Sequence, residues 1–186
     1  MSKPPIPALS TLDTLFKATL GLFFKDEIDS ILNDVNERSL CGSLALHMDT
    51  ERRRLGIHSY RVDVEYNRNR GKYLKTIKDR HERVIAINAD VILHSRGTVL
   101  DQDNLIAFEM KKSNASTLEK QSDRERLEAL TKDTFDDVWS FDGSALPEHV
   151  CRYALGVYME LNVRGRKVLL ERYIKGKCVW SKESPF

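Results

Sequence analysis

The sequence predicts a mixed α/β domain, and three observations predict it. Apolar residues recur at three- and four-residue intervals up to Gly56, the period changes to two immediately after that glycine, and a second helical stretch from Ser116 divides the strands that follow into a group of three and a group of two. At 186 residues the chain has the size of one domain with its own core.

The elements follow in order. "TLDTLFKATLGLFF" and "KDEIDSILNDV" carry Leu12, Leu15, Phe16 and Leu20, then Ile28, Ile31, Leu32 and Val35, each set on one helical stripe. Asn36 is placed to cap a further helix, "ERSLCGSLALHMDTERRRL", which Gly56 ends. "YRVDVEYNR" then alternates Val62, Val64 and Tyr66 with polar residues, as a strand with one covered face requires. A basic, turn-like "NRGKYLKTIKDR" leads to two more strands, "RVIAINADVILHS" and "NLIAFEMKK", joined by "RGTVLDQD". "STLEKQSDRERLEALTKDTFDDVW" is helical, with Ser116 as cap and Glu119 three residues on. "YALGVYMELN" and "KVLLERYIKGKCVW" close the chain as strands around a "VRGR" turn.

Composition narrows the function classes. With 41% hydrophobic and 31% charged residues and no apolar run of membrane-spanning length, the chain reads as a soluble protein without a membrane partner. "MSKPPIPALS" lacks a continuous apolar core behind its lysine, so no secretory leader is expected and the expected location is cytoplasmic. Cys41, Cys151 and Cys178 form no CxxC pair and indicate neither a disulfide framework nor a zinc ribbon.

Charge is unevenly spread. From Glu51 to Arg83 there are 11 Lys or Arg against 5 Asp or Glu, a local excess of six on a chain whose net charge is +2. Such a segment is a solvated face or a footprint for a polyanion. Arg53, Arg68, Arg70 and Lys72, with Arg96 further on, are the candidate phosphate contacts, acting through counterion release.

The chemistry concentrates in "NLIAFEMKKS", an apolar strand with charges in its last half. Side chains at i and i+2 share a face, so Glu109 and Lys111 project together with Leu105 and Ala107, while Ile106, Phe108 and Met110 face the other way. Asp90 interrupts the preceding strand, and an aspartate there is costly without a partner. Two carboxylates brought together on adjacent strands repel, and Mg²⁺ or Mn²⁺ resolves the repulsion. Glu37 shares a helical stripe with Leu40, Cys41, Leu44 and Met48 and is a third acid on the core side; as a first-turn residue it also complements the helix dipole. The bland readings are a surface ion pair for Glu109 and Lys111 and a bulge or edge for Asp90.

These blocks resemble the PD-(D/E)XK nuclease superfamily, and within it a subgroup of small bacterial and prophage proteins. The resemblance runs from Asn36 to Asn162 through "YRVDVEYNR", "ADVILHSRG", "NLIAFEMKKS" and "DRERLEALT", with Ala89 where the motif has its proline. It implies a restriction-endonuclease-like αβββαβ core over residues 36–162, with a mixed central sheet flanked by helices, an N-terminal helical extension over 1–35 and C-terminal strands over 163–186. It also implies that Asp90, Glu109, the backbone carbonyl of Met110 and Glu37 hold Mg²⁺ or Mn²⁺, and that Lys111 orients the attacking water. Gln121 and Asp123, early in the next helix, fall where related nucleases place a polar site residue. Asp123 is either an inward-facing side chain, with Leu127 and Leu130, or a satisfied cap. His94 and Glu65 are further supporting candidates. The implied activity is metal-dependent hydrolysis of phosphodiester bonds, in DNA before RNA, in defence or mobile-element biology. The alternative is an inactive nuclease-fold module that binds nucleic acid or a partner protein, a second copy of the chain included. An ion-paired structural sheet in an unrelated protein is the third reading.

Overall fold

The structure, a computed structural model, describes residues 4–65, 68–69, 73–74, 76–78, 84–86, 89–133 and 151–186, and within 68–86 the backbone alone. Helix α1 (Leu9–Leu32) is continuous. The two helices expected here are one, because "FFKDE" at their junction holds neither a glycine nor a proline to break the ladder. Its stripe Leu12, Leu15, Phe16, Phe23 and Ile31 is buried.

Helix α2 (Glu37–Arg54) starts at Asn36, whose side chain accepts from the Ser39 N–H at 2.9 Å. It ends in a Schellman motif: the Ile57 N–H reaches the Arg52 carbonyl at 2.9 Å and the Gly56 N–H the Arg53 carbonyl at 3.0 Å. Gly56 takes the left-handed φ of 72° that the motif needs.

Among the described residues the main sheet has six strands. β1 (Arg61–Val64) pairs antiparallel with β6 (Val91–His94), and β6 with β7 (Asn104–Lys112). Helix α3 (Thr117–Thr131) then carries the chain across, so that β8 (Leu155–Asn162) lies parallel to β7. A parallel neighbour needs such a crossover. β9 (Lys167–Ile174) and β10 (Lys177–Pro185) extend the sheet antiparallel, in the order β1-β6-β7-β8-β9-β10. Between β1 and β6 the backbone makes two short ladders, β2 (Arg68–Asn69) with β3 (Tyr73–Leu74) and β4 (Thr76–Lys78) with β5 (Val84–Ala86).

Three expectations are corrected. Residues 83–95 do not form one strand: β5 belongs to its own small ladder, and Asp90 leads into β6 instead of interrupting it. Residues 167–180 fold back as a hairpin at Lys175 and Gly176, both left-handed at φ 52° and 74°, the two-residue turn whose twist suits paired strands. Leu105 does not share the Ala107 face. The register passes from Leu93↔Ile106 to His94↔Asn104, leaving Leu105 as the bulged residue, and it packs in the opposite cluster.

One core cluster lies between α1, α2 and the sheet and contains Phe16, Leu44, Met48, Phe108, Met110 and Val157. The other lies under α3 and contains Ile92, Ala107, Leu127, Leu130, Tyr158 and Tyr173. α3 is capped by a reciprocal Ser116–Glu119 box. No helix among the described residues is long and apolar enough to cross a membrane.

Candidate functional site

Where β7 runs out toward its C-terminal end, three other elements meet it. The N-terminus of α2 brings Glu37, the residue before β6 brings Asp90, and the second and third turns of α3 bring Asp123 and Arg126. The β6–β7 register Val91↔Phe108, continued by one residue, sets Asp90 opposite Glu109. Asp90 Oδ2 accepts from the Met110 N–H at 2.8 Å. In an extended strand the N–H and C=O of one residue point the same way, so the Met110 carbonyl also faces the Asp90 side.

Glu109 is 1% exposed, on the α3 side of the sheet. Arg126 Nη1 donates to its Oε1 at 2.8 Å and to Asp123 Oδ1 at 3.1 Å. Lys111 Nζ stands 3.2 Å from Asp123 Oδ2 and 3.5 Å from Glu37 Oε2. The first of these contacts helps to keep the Lys111 ammonium charged. Glu37 Oε1 accepts from the Lys112 N–H at 2.8 Å, which fixes the carboxylate at the strand end.

Electrostatics follow from this crowding. Burial pushes the Glu109 carboxyl well above its usual range; Arg126 opposes the rise, and Asp90 and Asp123 add to it. Asp90 is also raised, by burial first, against the Met110 hydrogen bond. Burial would lower the Lys111 ammonium, yet Asp123, Glu37 and Asp90 outweigh it and the net shift is upward. Lys111 therefore stays charged. Among the described residues, four carboxylates, Glu37, Asp90, Glu109 and Asp123, face two cations, Lys111 and Arg126, so full ionisation leaves two negative charges uncompensated there.

Among the described residues, no three His, Cys, Asp or Glu side chains stand gathered as a ready metal cage. The donors nevertheless suit a hard divalent cation in kind: carboxylate oxygens, a strand carbonyl, and a buried aspartate oxygen whose neighbour is the Lys111 ammonium. The guanidinium of Arg126 holds Glu109 Oε1 and competes with any such cation for that carboxylate.

The remaining sequence candidates are placed as follows. Asp123 is buried and turned inward, and the cap of α3 is Ser116 instead. Gln121 is exposed and bonds Glu125 at 3.2 Å, outside the cluster. Glu65 receives a two-pronged bond from Arg38, at 2.7 and 2.5 Å, and its backbone N–H reaches the Asp90 carbonyl at 3.1 Å. His94 is buried, with Nε2 2.8 Å from Asp63 Oδ2. Arg96 also binds Asp63, through Nε at 2.8 Å. Burial raises the Asp63 carboxyl, but the bonds from His94 and Arg96 hold it far below its usual range. Arg53 is on the surface and pairs with Asp49 at 2.7 Å. The side chain of Arg68, and all of Arg70 and Lys72, lie outside the described residues.

Arg126 is the site residue that the sequence reading missed. Its signal was present, since positions 123, 126, 127 and 130 share one helical stripe, and a cation on a stripe that carries Leu127 and Leu130 must find an acid. The charge-rich "SDRERLEAL" hides it among solvated neighbours. A second cluster also went unread: Lys120 and Arg124 of α3 hold Glu160 and Glu171, and Arg124 lies 4.2 Å over the Tyr158 ring.

No protein-family model, curated protein or solved structure matches this chain.

Proposed function

We propose that this protein is a metal-dependent nuclease of restriction-endonuclease-like architecture that hydrolyses phosphodiester bonds of nucleic acid, DNA before RNA. The observation that carries the reading is the convergence of Glu37, Asp90, Glu109 and Lys111 at one end of β7 with two negative charges uncompensated. Protonation of both Asp90 and Glu109 relieves that excess without a metal; a divalent cation relieves it with both acids ionised. The order α2-β1-β6-β7-α3-β8, three antiparallel strands and then a parallel fourth, supports the αβββαβ core.

Asp90, Glu109 and the Met110 carbonyl would hold Mg²⁺ or Mn²⁺, with Glu37 at the margin. A bound cation of this kind lowers the pKa of a water and neutralises charge on the scissile phosphate. Lys111, kept charged by its acidic neighbours, donates to a phosphate oxygen as negative charge builds there and orients the attacking water. Water oxygen loses a proton as it bonds to phosphorus, the bond to the leaving sugar oxygen breaks, and that oxygen takes up a proton from solvent, so one water is consumed and the proton count is unchanged. Arg126, which holds Glu109 Oε1, would stand beside such a cation and compete with it for that carboxylate.

That same Arg126–Glu109 pair favours the second reading, a nuclease-fold module that binds nucleic acid or a protein without cutting, because the pair satisfies Glu109 by itself. Purified protein incubated with DNA and Mn²⁺ separates them. Cleavage that EDTA stops, and that Asp90→Ala and Lys111→Ala each reduce at least about a hundredfold, is expected. Cleavage unchanged in both variants, or none on any DNA or RNA tried, overturns the nuclease reading.

A further inference from the structure

A second feature lies at the β1 edge of the sheet, on the α2 side. Between α2 and the edge strand β1 opens a cavity of ≈ 720 Å³, within the size range of sites that hold a small organic ligand. Its lining mixes two kinds of side chain: Leu46, 72% exposed, with Val64, 37% exposed, and the arginines Arg52, Arg53, Arg61 and Arg96 from three separate parts of the chain.

The plain explanation for part of this charge is structural. Arg52 is buried and clamped by Asp49 at 2.5 Å and by the Ile57 carbonyl at 3.2 Å, and arginines in the last turn of a helix complement its dipole. Arg61 and Arg96 come from β1 and from the loop after β6; Arg61 Nη1 donates to the Tyr60 carbonyl at 2.9 Å and to the His58 carbonyl, and Arg96 pairs with Asp63. Among the described residues, the four guanidiniums outnumber the two carboxylates that pair with them, Asp49 and Asp63. Arg53 gives Nε to Asp49 yet keeps 67% of its side chain in solvent, and Arg96 keeps 49%. A planar guanidinium with an exposed edge suits phosphate oxygens. An exposed leucine and valine beside it suit the less polar sugar and base. The expected ligand thus has an anionic and an apolar side.

We propose that this cavity binds a nucleotide unit of a DNA strand, the phosphate against Arg53, Arg61 and Arg96 and the sugar and base against Leu46 and Val64. It rests on the reading above for the identity of the polymer, and it adds a docking surface apart from the cutting site. Position links the two through the backbone: Glu65, next to Val64, bonds the Asp90 carbonyl, while Glu109 itself lies on the opposite, α3 side of the sheet.

The test is binding without cleavage. Fluorescence anisotropy of a labelled single-stranded DNA about 12 nucleotides long, in EDTA, is compared for the wild-type protein, Arg53→Ala/Arg61→Ala, Leu46→Asp, and Lys177→Ala/Lys182→Ala on the far edge strand β10. Affinity is expected to fall about tenfold or more in the double arginine variant, and the slope of log K against log salt to drop by roughly 1.4, the value for two lost phosphate contacts on a single strand. Leu46→Asp is expected to weaken binding, and the β10 variant to leave it unchanged. Arg53→Lys/Arg61→Lys, which keeps the charge and loses the fork, is expected to keep most of the salt slope while losing affinity. No binding by the wild-type protein, equal affinity in the arginine variants with an unchanged melting temperature, or equal competition by polyglutamate of matched charge overturns the proposal. Since no metal is present, these outcomes are independent of whether Asp90 and Lys111 support cleavage.

Discussion

Removing the Arg126 side chain tests how the acidic cluster is held together. Its guanidinium lies 2.8 Å from Glu109, a carboxylate that is 1% exposed, and spans to Asp123 at 3.1 Å. Breaking one side of a buried ion pair costs about 3–5 kcal/mol, because the remaining charge is stranded. Glu109 has an escape, since burial already places its carboxyl well above the usual range, and without Arg126 it rises further. In Arg126→Ala the folded state therefore holds a proton that the unfolded state has lost, which makes stability fall as pH rises above the unfolded value near 4.5. The expected loss is about 3 kcal/mol near pH 8 and about half of that near pH 5, where the neutral acid costs only its missing hydrogen bonds. For a domain of this size that lowers the melting temperature by roughly 6–12 °C at the higher pH. Mn²⁺ supplies the missing positive charge in the nuclease reading, so it should restore part of the melting temperature in Arg126→Ala and raise it less in the wild-type protein, where the guanidinium competes. Differential scanning fluorimetry at both pH values, with Mn²⁺ and with EDTA, reads all of this. A variant that melts with the wild type at both pH values refutes the buried-pair argument; one that melts lower and ignores Mn²⁺ refutes a cation site at Glu109.

Two further outcomes depend on other parts of the fold. Gly156→Ala places a methyl 2.9 Å from the Thr131 side chain and 3.0 Å from Tyr173 Cβ, both on buried residues that cannot withdraw, so it should destabilise by roughly 1–3 kcal/mol in a urea titration; an unchanged midpoint would show that β8 and α3 are less tightly packed than described. Asp63→Asn removes a carboxylate whose pKa is depressed: the stability it supplies is present above the unfolded value of 3.8 and is lost as pH falls through the folded one, so the gap between wild type and variant should close in acid, and a gap that widens there contradicts the assignment.

Much of this protein was legible in one dimension. The capping residues Asn36 and Ser116, the stop at Gly56 and the change of period after it are local physics, set by backbone hydrogen bonding within a few residues, and the structure has them where the sequence puts them. The i, i+2 rule similarly put Glu109 and Lys111 on one face. Local rules also account for the misreadings. Nothing in "RVIAINADVIL" distinguishes one long strand from two short ones in different sheets, because apolar content measures burial and not partner, and the Lys175-Gly176 turn is too short to interrupt a β-rich run.

Only the tertiary structure decided which charges meet. Glu37 and Lys112 are 75 residues apart, and Arg126 and Glu109 17 apart, so their pairing depends on how α2 and α3 cross the sheet, which no spacing within a single element encodes. The Leu105 bulge likewise exists only through pairing with β6. The sequence by itself determined the inventory: an α/β chain with acids and a lysine at the end of one buried strand. The structure determined the balance sheet of charge, because Coulomb energy and desolvation depend on distance and depth, and those are properties of the folded chain alone.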